Sequence, residues 1–261
     1  MPPAPMSASL PRAALVTGGG KRLGRAIALT LAEVGFDLAI HCNASTDDAE
    51  ATAAEIRKIG RRATVLRADL SQESATATLI PAAIAEIGPL GVLVNNASTF
   101  ERDEWHDATR ASWDRHIEPN LRAPFVLTQA FAHTLPQGAE GVVINMLDMR
   151  VWSITPHFVS YTVSKFGLWA LTQSMALALA PRIRVNGIGP GPALPNSRQT
   201  PEQFARQAGS TPLRRGPTLK EVGEAVLSIL RLRSMTGQMI ALDGGQHMQW
   251  SPNPASPLDD E

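Results

Sequence analysis

The chain has 261 residues, 44% of them hydrophobic and 18% charged, so it can bury the core of one large domain. Its 24 basic residues balance its 24 acidic residues, which leaves no overall field to attract nucleic acid or a membrane surface. A single cysteine, Cys42, excludes an internal disulfide framework and fits a reducing compartment.

The two ends of the chain differ in composition from the rest. Residues 1–10 and 251–261 are rich in proline, and we expect them to be flexible tails around one domain of residues 11–250. The beginning, MPPAPMSASLPR, lacks the features of a signal peptide, and no later stretch is long enough to span a bilayer. The histidines show no spacing typical of metal ligands. These features predict a cytoplasmic protein with a small-molecule partner and no metal.

Short apolar runs alternate with longer helical patterns along the chain. Strands are predicted at residues 13–17, 37–42, 63–70, 91–97, 141–147, 183–191 and 238–245. Helices are predicted at residues 22–34, 46–60, 73–87, 109–135, 160–180 and 219–231. Because the strands are apolar on both faces, we expect a doubly wound α/β fold, with a parallel sheet of about seven strands and helices on both sides.

A glycine-rich turn, TGGGKRLG, leads from the first predicted strand into the first helix. Glycines let the backbone approach a pyrophosphate, and the N–H groups and dipole of the following helix stabilise negative charge. A plain tight turn is the alternative for such a loop in isolation. The candidate dinucleotide-binding residues of this turn are Gly18, Lys21, Arg22, Leu23 and Gly24.

The end of the second strand bears on the choice of cofactor. NAD enzymes usually carry an acidic residue there, which binds the adenosine ribose and would repel a 2′-phosphate. Here the strand ends IHCNAST, and acidic residues follow only in the next predicted helix. We therefore expect His41, Asn43 and Ser45 to form an uncharged pocket for the 2′-phosphate of NADPH. Position 44, just after this strand, is Ala44, which supplies no positive charge for that phosphate.

Several motifs occur in the order expected of a short-chain dehydrogenase/reductase. They are TGGGKRLG at 17–24, ADL at 68–70, NNAS at 95–98, Asn120, Tyr161-x-x-x-Lys165, RVNGIGPG at 184–191 and LDGG at 242–245. The chain resembles that family over nearly its whole length, which implies a Rossmann-type sheet and a homotetramer. Arg22, the NNASTF run and an aspartate at position 148 make it most similar to pteridine reductases and bacterial dihydromonapterin reductases.

The resemblance also implies roles for individual residues. It places Asp69 near the adenine, and it gives Asn120 a water that links Lys165 to solvent. It brings the last glycines of RVNGIGPG beside the nicotinamide. The further cofactor-binding residues that it implies are Leu70, Asn95, Ala97, Ser98, Pro190 and Gly191.

Tyr161 and Lys165 are spaced to lie on one face of a helix. The ammonium charge next to the phenol makes Tyr161 a usable proton donor, and Lys165 can also hydrogen-bond the nicotinamide ribose. Tyr161 is the only tyrosine in the chain. The pair therefore predicts a catalytic centre that also contacts the cofactor.

Asp148 stands thirteen residues before Tyr161, where such reductases usually carry serine. Reduction of a ketone builds an alkoxide, and two like charges about 4 Å apart repel by roughly 4 kcal/mol at an effective dielectric near 20. A ring C=N bond suits a carboxylate better, because its nitrogen must gain a proton. Asp148 could hold Tyr161 protonated, relay a proton to it, or accept hydrogen bonds from an aminopyrimidine. The prediction is NADPH-dependent reduction of a dihydropterin to a tetrahydropterin.

Other residues are expected to hold the substrate. Phe100 follows the fourth strand, where it can stack on a flat heterocycle, and Arg22 and Ser98 lie near the same edge of the sheet. Residues 193–212 are polar and interrupted by proline, which is typical of a substrate lid. Two alternatives stay open: a reductase of ketones or 3-oxoacyl thioesters, and a dinucleotide-binding sensor without turnover.

Overall fold

The computed structural model of the protein describes residues 5–196 and 198–248. Its centre is a single sheet of seven parallel strands in the order β3-β2-β1-β4-β5-β6-β7. The strands are β1 (Ala13–Val16), β2 (Asp37–Cys42), β3 (Ala63–Arg67), β4 (Val92–Asn95), β5 (Gly141–Met146), β6 (Ile183–Pro190) and β7 (Met239–Leu242). The prediction of a doubly wound parallel sheet of seven strands is confirmed.

Helices cover both faces of the sheet. They are α1 (Arg22–Glu33), α2 (Thr46–Lys58), α3 (Glu73–Ile87), α4 (Arg110–Ile117), α5 (Ala123–Thr134), α6 (Val159–Leu179), α7 (Pro201–Gly209) and α8 (Leu219–Arg231). Short 3-10 turns, Met149–Val151 and Gln246–Met248, follow β5 and β7. Among the helices of the described residues, none combines the length and the hydropathy that a membrane crossing needs.

Strand β1 shows why the sheet is buried on both sides. Successive side chains of a strand point to opposite faces. Ala14 and Val16 accordingly lie in the core cluster that includes side chains of α1, α2 and α8, whereas Ala13 and Leu15 lie in the cluster that includes side chains of α3 and α5. All four are almost completely buried. An apolar run without alternation is therefore the correct signal for a central strand of this fold.

The predicted helix at 109–135 is wrong in one respect, because it is three segments. A π-helical turn, Glu118–Arg122, separates α4 from α5. Pro119 and Pro124 have no N–H to continue the ordinary helical ladder, which favours a local change of pitch at this point. The wider turn contains Asn120, whose side chain is buried.

Two further predictions need adjustment. The lid segment, residues 193–212, contains a helix that the sequence pattern did not predict, α7, which begins at a Thr200 capping box. Leu10 is 4% exposed, and the Glu140 N–H donates to Ser9 O at 3.1 Å, so part of the predicted tail 1–10 packs on the domain. The second predicted tail, 251–261, lies outside the described residues.

Candidate active site

The carboxyl ends of the strands border two adjoining clefts. The first, of about 530 Å³, lies at the ends of β1, β2 and β4, and the second, of about 270 Å³, lies at the ends of β5 and β6. Predicted residues that line the first are Gly18, Lys21, Arg22, Leu23, Gly24, His41, Asn43, Ser45, Asp69, Leu70, Ala97 and Ser98. Predicted residues that line the second are Arg22, Leu23, Ser98, Phe100, Asp148, Tyr161, Lys165, Pro190 and Gly191. The structure thus brings nearly every predicted site residue to one edge of the sheet.

The glycine-rich turn between β1 and α1 depends on two close contacts. Gly18 has φ +61°, and a Cβ at Gly24 would lie 2.1 Å from Gly18 O, so α1 can approach the turn only without a side chain there. Arg22 also adopts a positive φ of 51°, a conformation that is uncommon for residues other than glycine. The result is a cradle of exposed backbone at the start of α1, suited to a pyrophosphate.

His41, a buried residue of β2, stabilises this cradle through hydrogen bonds. Its Nδ1 accepts the Gly18 N–H at 3.2 Å, and its Nε2 donates to Ala68 O at 3.1 Å. Burial lowers the pKa of the imidazole, so the ring is neutral in that role. His41 lines the first cleft as predicted, but the backbone engages both of its nitrogens, so its part is to hold the turn.

The recess at the end of β2 contains two of the three residues predicted for the 2′-phosphate, and His41 is not among its lining. Asn43 and Ser45 line it together with Lys21. Lys21 forms an ion pair of 2.7 Å with Asp48 in the first turn of α2, and both side chains are about half exposed. An exposed ion pair of this kind is weak, so the ammonium remains available to another anion.

Asn95, a predicted cofactor contact at the end of β4, is buried, and its contact with a cofactor stays a prediction. Asn95 is the last residue of the strand, its amide donates to Asn145 Oδ1 at 2.8 Å, and it lines neither of the two clefts. Asn96 borders both clefts, and its amide donates to Thr17 O at 2.8 Å. The clefts are therefore lined by Asn96, the residue after the strand, and not by Asn95, the last residue within it.

Asp148, Tyr161 and Lys165 meet in the second cleft. The phenol of Tyr161 donates to Asp148 Oδ2 at 2.8 Å, and Lys165 Nζ donates to Met146 O at 2.8 Å. The Lys165 ammonium lies 5.7 Å from the centre of the Tyr161 ring. Burial lowers the pKa of Lys165 to about 8, while the negative charge of Asp148 acts in the opposite direction. The carboxylate of Asp148 therefore contacts the phenol directly and favours the charged form of Lys165.

Arg150 is a charged neighbour of this centre that the sequence reasoning missed. Its backbone N–H donates to Asp148 Oδ1 at 2.9 Å, and its Nη1 lies 3.5 Å from Asp148 Oδ2. Its guanidinium carbon is 6.0 Å from the centre of the Tyr161 ring. The sequence feature that could have indicated Arg150 is its position two residues after Asp148 in a turn, because an Asp side chain often accepts the backbone N–H two residues further on. Arg150 offsets the negative charge of Asp148.

Phe100 lines the second cleft, where it packs against two other rings. It stacks on Phe158 with centroids 4.6 Å apart, and it meets the edge of Tyr161 at 4.6 Å. Phe158 is the residue before α6 and has φ 58°, an uncommon conformation that sequence patterns do not predict. Stacking of Phe100 on a substrate stays a prediction. Arg198 Nη1 donates to Phe100 O at 2.9 Å, so the lid contacts this aromatic group.

Asn120 connects the π-helical turn to the loop after β4. Its Oδ1 accepts the Thr99 N–H at 2.8 Å, and its Nδ2 donates to Thr99 O at 2.9 Å and to Ser164 Oγ at 3.1 Å. These contacts hold the segment between Ser98 and Phe100 against α6. The water that the family resemblance assigns to Asn120 stays a prediction.

Arg22 is directed at the lid. Its Nη1 donates to Pro195 O at 2.7 Å and its Nη2 donates to Leu194 O at 3.2 Å. The guanidinium therefore connects the start of α1 to residues 193–196, across the boundary between the two clefts. To contact a substrate or a phosphate as predicted, Arg22 would have to give up these hydrogen bonds to the lid and form new ones to the ligand.

The comparisons with known proteins agree with this geometry. A family model described as short chain dehydrogenase matches residues 12–204. FolM alternative dihydrofolate reductase 1 from Brucella canis, solved with NADP, is 46% identical, with a TM-score of 0.89 over 95% of this chain and 99% of that one. Its counterpart from Brucella suis, also with NADP, is 48% identical, with a TM-score of 0.89 over 94% and 98%. A 3-oxoacyl-acyl-carrier-protein reductase of Staphylococcus aureus is 30% identical over 91% of this chain and 98% of its own length.

Proposed function

The chain belongs to the short-chain dehydrogenase/reductase family of oxidoreductases, and on this premise we propose that it reduces a dihydropterin to a tetrahydropterin with NADPH. The observation that carries the proposal is the hydrogen bond from the Tyr161 phenol to Asp148 in the second cleft. A carboxylate at that point opposes the alkoxide of a ketone reduction and tolerates a ring nitrogen that gains a proton. The Brucella proteins named as dihydrofolate reductases support the same substrate class.

The first cleft fits a dinucleotide. A Cβ at Gly24 would clash with Gly18 O, so the glycines let α1 begin directly at the turn. The exposed backbone N–H groups at the start of α1 can then bind a pyrophosphate. Asp69 and Ser98 line the same cleft, and Lys21 lies in the recess at the end of β2. Lys21 can hold a 2′-phosphate there, which supports NADPH over NADH. NADPH supplies the hydride when it is bound.

The residues of the second cleft move the proton. Tyr161 donates its phenolic proton to the ring nitrogen, and Lys165 stabilises the phenolate with its charge. Asp148 orients the phenol through its hydrogen bond, and Arg150 offsets the added negative charge. Phe100 forms part of the wall of the cleft, which suits a flat heterocycle, and the lid excludes water.

A second candidate is the reduction of a ketone or a 3-oxoacyl thioester. The observation in its favour is Arg150, which lies 3.5 Å from Asp148 and reduces the repulsion of an alkoxide. The similarity to a 3-oxoacyl reductase supports it as well. The close approach of Asp148 to Tyr161 leaves a carboxylate at the point of reaction, so the pterin remains the better substrate for this site.

The deciding experiment compares kcat/KM for 7,8-dihydropterins, a 3-oxoacyl thioester and a reactive diketone with NADPH. We expect the wild type to prefer dihydropterins. In Asp148→Ser, kcat/KM should fall about tenfold or more for dihydropterins. It should stay the same or rise for the diketone, because serine donates a hydrogen bond to an alkoxide. Asp107→Ser, which changes an exposed carboxylate of the loop before α4, is the matched control, and Tyr161→Phe is the inactive reference. Good ketone turnover without dihydropterin turnover would show that the proposal is wrong.

We also propose that the chain assembles as a homotetramer through the helices α5 and α6. The support is an apolar outer surface on α6, where Leu177 is 84% exposed and Val163 is 40% exposed. Light scattering of the purified protein measures the assembly state directly, and a monomer would contradict this assignment.

A further inference from the structure

A buried carboxylate outside the two clefts holds the start of α6. Asp103 lies in the loop between β4 and α4 and is 4% exposed. Its Oδ1 accepts the Ser160 N–H at 3.1 Å, and its Oδ2 accepts the hydroxyls of Ser160 and Ser112. Its backbone oxygen accepts the Val159 N–H at 3.2 Å. One residue of the loop therefore satisfies the first two N–H groups of α6.

This contact replaces an ordinary helix cap. The first N–H groups of a helix have no partner within it, and the preceding residue usually supplies a side-chain oxygen. Before α6 that residue is Phe158, which has no such oxygen and stacks on Phe100 instead. A carboxylate is well suited to this place, because negative charge is stabilised at the beginning of a helix.

His116 extends the contact to α4. Its Nε2 accepts the Glu101 N–H at 3.0 Å, so its Nδ1 carries the proton, which it donates to Ser160 Oγ at 2.7 Å. Burial lowers the pKa of this imidazole, which keeps it neutral. The His116 ring lies 6.0 Å from the ring of Tyr161, with an edge-on orientation. The polar group formed by Asp103, Ser112, His116 and Ser160 thus joins the loop, α4 and α6 beside the phenol.

We propose that Asp103 is a positioning residue for the reaction, which fixes the first turn of α6 so that Tyr161 meets the substrate in the correct place. The inference rests on the proton-donating part of Tyr161 in the proposed function. Tyr161 directly follows Ser160, and Phe100 belongs to the same loop as Asp103. One carboxylate therefore sets the distance between the proton donor and the aromatic wall. A misplacement of about 1 Å at a reacting centre can cost roughly a hundredfold in rate.

The test compares Asp103→Ala, Asp103→Asn and the control Asp107→Ala, whose exposed carboxylate accepts the Glu104 N–H of the same loop at 2.7 Å. Asp103→Ala should lower kcat about 10- to 100-fold. The KM for NADPH should stay within about twofold, because the first cleft contains none of these contacts. Asp103→Asn keeps an oxygen for the Ser160 N–H and should recover a substantial part of kcat. Asp107→Ala should match the wild type.

Ser160→Ala is the second variant, in case Asp103→Ala folds poorly. It removes the hydroxyl that links Asp103 to His116 but keeps the backbone cap, so we expect a smaller loss of kcat. All rates are divided by the folded fraction, measured by circular dichroism. An unchanged kcat per folded molecule in Asp103→Ala, or an Asp103→Asn variant as slow as Asp103→Ala, would overturn the proposal.

The outcome is separable from that of the proposed function. Each variant is assayed on whichever substrate the wild type reduces fastest. If that substrate is a ketone, the pterin assignment fails, and the comparison of the Asp103 variants is still decided on the ketone.

Discussion

Single residues of the second cleft explain how a carboxylate can lie next to the proposed proton donor, Tyr161. Asp148 accepts from the Tyr161 phenol at 2.8 Å, and this hydrogen bond orients the phenol. Arg150 lies 3.5 Å from Asp148, and the Lys165 ammonium lies 5.7 Å from the centre of the Tyr161 ring, so both supply positive charge near the pair. A serine in place of Asp148 would leave two cations near the phenol with less compensation. The aspartate is therefore part of a balanced set of charges.

The pH dependence of the enzyme should follow from Lys165, whose burial lowers its pKa to about 8. The charge that assists Tyr161 is present below this value and is lost above it, so we expect kcat/KM to fall as pH rises through about 8. Stability changes in the opposite sense. A lysine in the unfolded chain titrates near 10.5, so between about 8 and 10.5 the unfolded state binds more protons and the free energy of unfolding rises with pH.

Lys165→Met tests both parts of this prediction. At pH 7 the variant should be inactive, yet the unliganded protein should be more stable than the wild type by about 1–3 kcal/mol, because the ammonium charge at position 165 is no longer buried. The advantage should shrink between pH 8 and 10.5. Rate profiles and urea unfolding from pH 6 to 10.5 measure these effects, with Lys58→Met on the exposed end of α2 as control. A wild-type rate that stays constant to pH 10 would contradict the assignment.

At the scale of elements, the sequence predicts regular parts well and exceptions poorly. The strands β1 and β5 are evident because a parallel strand is apolar on both faces. The π-helical turn and α7 are not evident, since the first lies within a continuous helical pattern and the second has no buried residues. Site residues on glycine turns and strand ends follow from the resemblance of their motifs to the short-chain dehydrogenase/reductase family. Contacts that depend on long-range packing, such as Asp103 with Ser160, leave no periodic signal.

The lid illustrates such a contact, since Arg22 holds it from the start of α1. Arg22→Met keeps the Cβ but removes the hydrogen bonds to Leu194 and Pro195, so residues 193–212 should open more often. We expect thermolysin to cleave this segment several-fold faster in the unliganded variant, and the KM for substrate to rise more than kcat falls. Arg25→Met, which loses only an ion pair with Glu55, is the control. Equal cleavage rates in all three proteins would show that Arg22 does not hold the lid.

On the scale of the whole molecule, the sheet order separates binding from chemistry. β1 lies between β2 and β4, so the glycine turn and the end of β2 meet in the first cleft, while β5 and β6 carry the second. A ligand of the first cleft would contact α1, the end of β2 and the loops after β3 and β4 together. Its binding free energy should therefore appear as added stability of the entire domain, because only the folded state assembles these elements.

Cofactor choice is measurable through that linkage. At equal concentrations, NADPH should raise the melting temperature more than NADH, because Lys21 can exchange its exposed partner Asp48 for the 2′-phosphate. Lys21→Ala should weaken NADPH about tenfold, or about 1.4 kcal/mol, and leave NADH unchanged. Asp48→Asn should strengthen the binding of NADPH, since it removes the carboxylate that competes for Lys21. Lys58→Ala, at the far end of α2, is the control. If NADH stabilises the wild type as much as NADPH, the recess at the end of β2 does not select the phosphate and Lys21 only pairs with Asp48.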